Sequence, residues 1–371
     1  YVLLKNHQFE ICLNQTRKIE SSQGFRKNLK LLSIKTAAAI ALGWTPEEIN
    51  QELIISIKGT DYSNSDIYKK AKSLLLKHRC SKNNLFDSSS VKIDHYAQHV
   101  KTDTLFVTFG NALADIDKKP FAYDLILQQG WDLVSVMPRK DSMYQGLSFD
   151  QFKELISALL QKNPSYSKVF FYGSSLGAYA AVYYSGSCNA VSIAAGVRNS
   201  AHPLISHLTR FEARRQPFEH TVHLSNIPKT KNPVFIIYDP TLEMDRIMVE
   251  QWCMPAYPDA KILSIPHGGH PPLQMLQELG QLKSTIISIV ETGNYGIKDI
   301  PYESSSIYWL NKANYEYRIQ AFVDCKHSCL QGLSIQNPKS AAKLQYLLEK
   351  LDQKEDTSNL TLNIEPACMK T

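Results

Sequence analysis

The pentapeptide Gly173-Ser174-Ser175-Leu176-Gly177 constrains this chain more than any other stretch. It follows the apolar run Val169 to Tyr172 and precedes a segment rich in alanine, with Ala178, Ala180 and Ala181. A buried strand, a sharp turn and a tightly packed helix satisfy that pattern. The turn lifts Ser175 out of the sheet in a strained backbone conformation. Residues two before and two after must then lack a Cβ so that strand and helix can approach. Leu176 opens the helix, and its backbone N–H faces the space beside the Ser175 hydroxyl.

The surrounding sequence supplies the rest of a parallel sheet. Strands are predicted at Thr104–Phe109, Trp131–Val136, Ala190–Ala194, Pro233–Tyr238 and Lys261–Ile265, with amphipathic helices at Phe149–Gln161 and Pro272–Glu291. Strands alternating with helices indicate an α/β architecture covered on both faces. The stretch from 198 to 230 breaks this rhythm and is expected to be a small cap or insert.

Residues 91–292, read together, resemble an α/β-hydrolase domain, with 91–300 as its expected extent. That resemblance implies a triad in the order nucleophile, acid, histidine. Ser175 matches the nucleophile. The histidine belongs just after the last strand, where Ser264-Ile-Pro-His-Gly-Gly-His270 offers His270, within a Gly-His pair, and His267 as competitor. The acid belongs after the preceding strand, in Tyr238-Asp-Pro-Thr-Leu-Glu-Met-Asp245. The family's spacing favours Asp245; Asp239 is the alternative, with a turn-capping job beside Pro240 as its competing role. Glu243 ranks third. The resemblance also implies an oxyanion hole from the N–H groups of Leu176 and Asn111, with Ala112 a near alternative to the latter.

Other features carry weaker implications. The Asp141–Gly146 loop ends a strand on the side where such sheets bind ligands, and it is equally readable as plain surface. Arg210, Arg214 and Arg215 are candidates for binding an anionic group or for a solvated helix face. His202, His207, His220 and His223 show no metal-ligand spacing, and no P-loop, dinucleotide fingerprint or zinc-protease motif occurs. The seven cysteines are scattered without a C-x-x-C pair, which favours free thiols in a reducing compartment.

The flanks are expected to be helical. Residues 1–90 form a basic N-terminal segment; residues 1–80 hold 13 Lys and Arg against 7 Asp and Glu, which accounts for the whole net charge of +6. The helix predicted from Pro46 to Ile57 has three glutamates and no Lys or Arg, which argues against reading DNA. Residues 301–352 are expected to form a helical hairpin of tetratricopeptide-like character, with 353–371 a mobile tail. No apolar run of membrane-spanning length occurs.

A looser resemblance, confined to the catalytic segment, is to α/β-hydrolase-like proteins of bacterial capsular and surface-polysaccharide biosynthesis. It implies a cytoplasmic enzyme, peripheral to the inner membrane, that transfers an acetyl group from acetyl-CoA to a glycan. A carboxylesterase or deacetylase of an acylated glycan or small ester is the alternative. A catalytically silent scaffold, binding polysaccharide-assembly proteins through its helical ends, is the reading from outside enzymology.

Overall fold

The computed structural model describes residues 8–20, 29–42, 44, 80–98, 101–208, 220 and 224–362. By contact the chain divides into two compact units. One comprises residues 1–85, 94–105 and 122–134; the other comprises 86–93, 106–121 and 135–371.

In the first unit, α1 (Phe9–Glu20) packs on α2 (Leu29–Ala41). Cys12, Leu13 and Thr16 share one buried face of α1. On α2 the buried run from Ser33 to Ala39 is rich in alanine, which lets helices approach closely. The expected helix from Pro46 to Ile57 lies outside the described residues.

The sheet has eight strands: β1 (Cys80–Asp87), β2 (Val91–Gln98), β3 (Thr104–Phe109), β4 (Asp132–Pro138), β5 (Lys168–Ser174), β6 (Val191–Ala195), β7 (Val234–Tyr238) and β8 (Lys261–Ser264). Their spatial order is β1-β2-β4-β3-β5-β6-β7-β8, and β5 through β8 pair in parallel. This is an α/β-hydrolase fold. Strands β3, β4 and β7 are buried along their whole length, which is why they read as mostly apolar runs without alternation.

The sheet begins earlier than the expected boundary at 91. β1 falls in the segment expected to be helical, and its polar sequence Cys-Ser-Lys-Asn-Asn hid it. It is an edge strand with four consecutive exposed residues, so it needs no apolar alternation. A turn of three serines joins it to β2, with the Ser88 hydroxyl accepting the N–H groups of Ser90 and Val91.

The connecting helices are α3 (Tyr123–Gln128), α4 (Phe149–Lys162), α5 (Leu176–Tyr184), α6 (Glu243–Ile247), α7 (Met254–Ala256), α8 (Leu273–Glu278) and α9 (Leu282–Thr292). Ser148 caps α4 by accepting the Gln151 N–H. The single helix expected over Pro272–Glu291 is two, because Gly280 takes φ +70° and ends the first.

Beyond residue 301 a three-helix arm replaces the expected hairpin: α10 (Ser306–Arg318), α11 (Phe322–Ser334) and α12 (Pro338–Leu362). The break that separates α10 from α11 is a turn at Gln320, with φ +63°. Ala313, Cys325, Cys329, Leu344, Leu347 and Leu351 form the arm's core, so the cysteines one helical turn apart are buried thiols. α12 passes the expected break at 353, since neither glycine nor proline interrupts residues 339–362.

Candidate active site

Ser175 sits between β5 and α5 at φ 58°, ψ −120°, a region that only a fixed turn imposes on a residue with a side chain. Its N–H donates to the Ala195 carbonyl of β6 at 2.9 Å. The two glycines have the steric role read from the sequence. A Cβ on Gly173 would lie 2.0 Å from the Gly177 carbonyl oxygen, and one on Gly177 would lie 2.2 Å from the Phe109 carbonyl oxygen. Both obstacles are backbone, so neither can yield cheaply.

The Ser175 hydroxyl is 2.7 Å from His270 Nε2, and His270 Nδ1 is 2.8 Å from Asp245 Oδ2. These residues lie 95 and 25 positions apart, and parallel β5, β6, β7 and β8 bring their C-terminal ends together. Asp245 is fully buried in the first turn of α6, where the positive helix end favours a carboxylate.

Asp239, the alternative acid, is just as buried but faces elsewhere. Its Oδ1 accepts from the Thr241 N–H, the Thr241 hydroxyl and the His267 N–H at 2.9, 2.7 and 3.1 Å. Its Oδ2 accepts from the Gly269 N–H at 2.9 Å. Asp239 therefore ties the end of β7 to the loop that carries His270, as well as capping its own turn. Glu243 opens α6, and among the described residues it joins no such contact.

His267 points away from Ser175. Its ring lies 5.8 Å from the Tyr308 ring and 5.2 Å from that of Tyr315, both on α10. Burial lowers its pKa; Asp239 and Glu316 oppose that shift, and Lys312 and Arg318 add to it. Asn311 of α10 packs on the same loop, since a Cβ on Gly269 would meet its side chain at 2.4 Å. The carboxylate of Glu278, at the end of α8, receives the Ser305 and Ser306 hydroxyls, the N–H groups of Ser306 and Ile307, and the Asn337 amide. The arm is thus fastened both to the His270 loop and to the helix that follows it.

The Leu176 and Asn111 N–H groups engage no acceptor among the described residues, and neither does that of Ala112. The Asn111 side chain is committed to its own turn, its Oδ1 accepting the Leu113 N–H at 2.9 Å. The preceding Gly110 is braced from below. Its N–H donates to the Val136 carbonyl, and the buried Tyr144 hydroxyl reaches its carbonyl at 2.8 Å. Tyr144 belongs to the Asp141–Gly146 loop, where Asp141, Met143 and Tyr144 all have positive φ. Such clustered strain is held only where surrounding contacts over-determine the backbone.

Gly196 and Arg198 went unnoticed in the sequence, and Tyr144 was read only as part of the Asp141–Gly146 loop. Gly196, at φ +61°, leaves room for the imidazole, because a Cβ there would lie 3.0 Å from His270 Nδ1. Arg198 places Nε 2.8 Å and Nη2 2.6 Å from Asp245 Oδ1. Glycine and arginine in a loop carry no spacing signal, so only the fold reveals them.

Other candidates lie apart from this cluster. His202 and His220 pack on the Tyr179 ring of α5, and burial pushes the His220 imidazole down to about 4. His207 sits in a short 3-10 turn. Arg210, Arg214, Arg215 and His223 are outside the described residues. Among the described residues, no group of three or more His, Cys, Asp or Glu side chains could hold a metal ion. No helix among them is long and apolar enough to cross a membrane.

No protein-family model matches the chain, and no curated protein matches it by sequence. Among solved structures, the chain is similar to a 2,6-dihydroxy-pseudo-oxynicotine hydrolase at 12% identity and TM-score 0.44, over 80% of this chain and 89% of the other. An esterase from Pyrococcus furiosus aligns at 14% identity and TM-score 0.40, over 58% and 93% of the two chains. A dienelactone hydrolase from Anabaena variabilis aligns at 14% identity and TM-score 0.37, over 57% and 96%.

Proposed function

We propose that this protein hydrolyses carboxylic esters through an acyl-enzyme on Ser175. The observation that carries the reading is the continuous hydrogen-bonded chain from Ser175 Oγ through His270 to the buried Asp245 carboxylate.

In this reading Ser175 Oγ attacks the acyl carbon and passes its proton to His270 Nε2. Asp245 fixes the imidazole through Nδ1 and stabilises the imidazolium that forms. The carbonyl oxygen, now an oxyanion, accepts the unspent N–H groups of Leu176 and Asn111. Each such donor is worth roughly 100- to 1000-fold in rate. His270 then protonates the departing alkoxide as the carbon–oxygen bond breaks. A water molecule, deprotonated by His270, releases the acid and regenerates the Ser175 hydroxyl.

Acetyl transfer from acetyl-CoA to a glycan hydroxyl shares the steps up to the acyl-enzyme and differs only in the acceptor. The assay therefore offers both. A fluorophosphonate should label the wild-type protein and not Ser175→Ala. Labelled p-nitrophenyl acetate and acetyl-CoA are then supplied with and without acetyl-free surface polysaccharide. Release of acetate to water at a rate indifferent to the glycan supports the hydrolase. Glycan-dependent capture of the label replaces hydrolysis with transfer. A folded protein that neither labels nor turns over either donor removes the enzymatic reading.

A further inference from the structure

We infer that Arg198 is a positioning residue of this site, which fixes and charge-compensates Asp245 so that one carboxylate oxygen is kept for His270. The inference rests on the acyl-enzyme reading above and adds to the triad a residue that never touches the reacting atoms.

Asp245 is completely buried. Its side chain has no exposure, whereas the Arg198 side chain keeps 21%. A buried carboxylate needs donors for its lone pairs and a compensating charge, or it protonates or turns away. Asp239, at the other end of the same loop, meets that need with three backbone N–H groups and one hydroxyl. Asp245 has a different solution. Its Oδ2 faces His270 Nδ1, and its Oδ1 receives two nitrogens of one guanidinium. The imidazole supplies one hydrogen bond to Oδ2, and Arg198 supplies the cation and two N–H donors opposite Oδ1.

The geometry also sets direction. Two donors in a rigid planar fork on one oxygen prevent the carboxylate from rotating about its last bond. The other oxygen is thereby left pointing at the imidazole. The segment bearing Arg198 is anchored to the same centre: Arg198 N–H donates to the Ser175 carbonyl at 3.3 Å, and Gly196 lies against the His270 ring. Among the described residues, two charged or titratable side chains touch Asp245, namely Arg198 and His270. Arg246, next to Asp245 in sequence, pairs instead with Glu250.

A double-mutant cycle on ester turnover tests this. Arg198→Met should lower kcat about 100-fold, the usual consequence of a catalytic group misplaced by an ångström, with KM moving less than about threefold. Because Arg198 acts through Asp245, Arg198→Met/Asp245→Asn should be no slower than Asp245→Asn alone. Arg198→Ala should regain activity on addition of guanidinium chloride at concentrations too low to denature, which separates lost positioning from misfolding. Multiplying losses in the double variant, or an unchanged kcat in Arg198→Met, would overturn the assignment. A proton spectrum gives a readout that needs no substrate: the downfield His270 Nδ1–H signal should be sharp in wild type and broadened or absent in Arg198→Met. If wild type shows that signal but turns over no ester, the functional reading fails and the positioning role stands. If the signal is indifferent to Arg198, the positioning role fails alone.

Discussion

Around Ser175 the backbone is shaped by atoms it lacks; around His270 it is shaped by side chains that reach in from distant parts of the chain. The serine turn closes because Gly173 and Gly177 have no Cβ to meet each other and Phe109. The histidine loop has glycines too, but its path is set by the Asp239 carboxylate, 28 and 30 residues upstream of the N–H groups it holds. It is then covered by Tyr308, Asn311 and Tyr315 of α10. A turn fixed by sterics is rigid by construction, whereas a loop fixed by a carboxylate depends on the hydrogen bonds of that one side chain.

The largest effects belong to the serine turn. Ser175→Ala should lower kcat by about 10⁵- to 10⁶-fold with an unchanged melting temperature, as expected when a triad nucleophile is removed. Gly177→Ala should abolish labelling and also lower the melting temperature, because its Cβ meets a backbone oxygen at 2.2 Å. A Gly177→Ala protein with wild-type turnover would show that the turn is not sterically locked.

The acid loop comes next, and there activity and stability should separate. Asp245→Asn should cost about 10⁴-fold in kcat through the wrong imidazole tautomer. Asp239→Asn keeps an oxygen for Thr241 and His267 but leaves the Gly269 N–H facing an amide NH₂, so it should lose on the order of 3 kcal/mol in denaturant unfolding. Its loss of kcat should be well below that of Asp245→Asn, since it touches neither Ser175 nor the imidazole. Were Asp239→Asn the slower enzyme, the two carboxylates would have exchanged roles.

This contrast explains what could be read from the sequence. The serine turn was legible because its pattern occupies five consecutive residues, and the exclusion between Gly173 and Gly177 is a local rule. The strands β3 and β7 were legible because burial on both faces leaves a mostly apolar run without alternation. Asp239 and Asp245 could be ordered only by family spacing and by the turn-capping role open to Asp239 beside Pro240. Their difference lies in partners on other segments: backbone N–H groups at 267 and 269 for one, Arg198 and His270 for the other. β1 was hidden for a related reason, because an exposed edge strand has no apolar pattern to show.

The latch at Glu278 tests how far the histidine loop relies on ionised carboxylates. Burial alone would raise its pKa, but hydrogen bonds from Ser305, Ser306, Asn337 and Ile307 outweigh that and hold it below the usual glutamate range. A carboxyl depressed in the folded state stabilises fully above its unfolded pKa, about 4.3, and loses that contribution as pH falls through the folded value. Wild type should therefore lose melting temperature below about pH 4.3 more steeply than Glu278→Gln, which starts lower at neutral pH. Parallel curves for the two proteins would mean that the arm is held by its apolar core instead.

The smallest effect on turnover should come from His267, although it lies three residues from His270 and was its rival in sequence. Its ring faces Tyr308 and Tyr315, so it has no access to the Ser175 hydroxyl. Asparagine tolerates the φ of 59° found there better than most residues. His267→Asn should hold kcat within about threefold, a change of well under 1.4 kcal/mol in the barrier. Its signature should appear in stability. A histidine whose pKa is lowered by burial is neutral when folded, and that contribution is lost as pH falls from the unfolded value near 6.5 through the folded one. Melting curves between pH 7 and pH 5 should thus slope less in His267→Asn than in wild type. A collapse of kcat with unchanged stability would instead make His267 part of the chemistry and return the choice between the two histidines to the one the sequence posed.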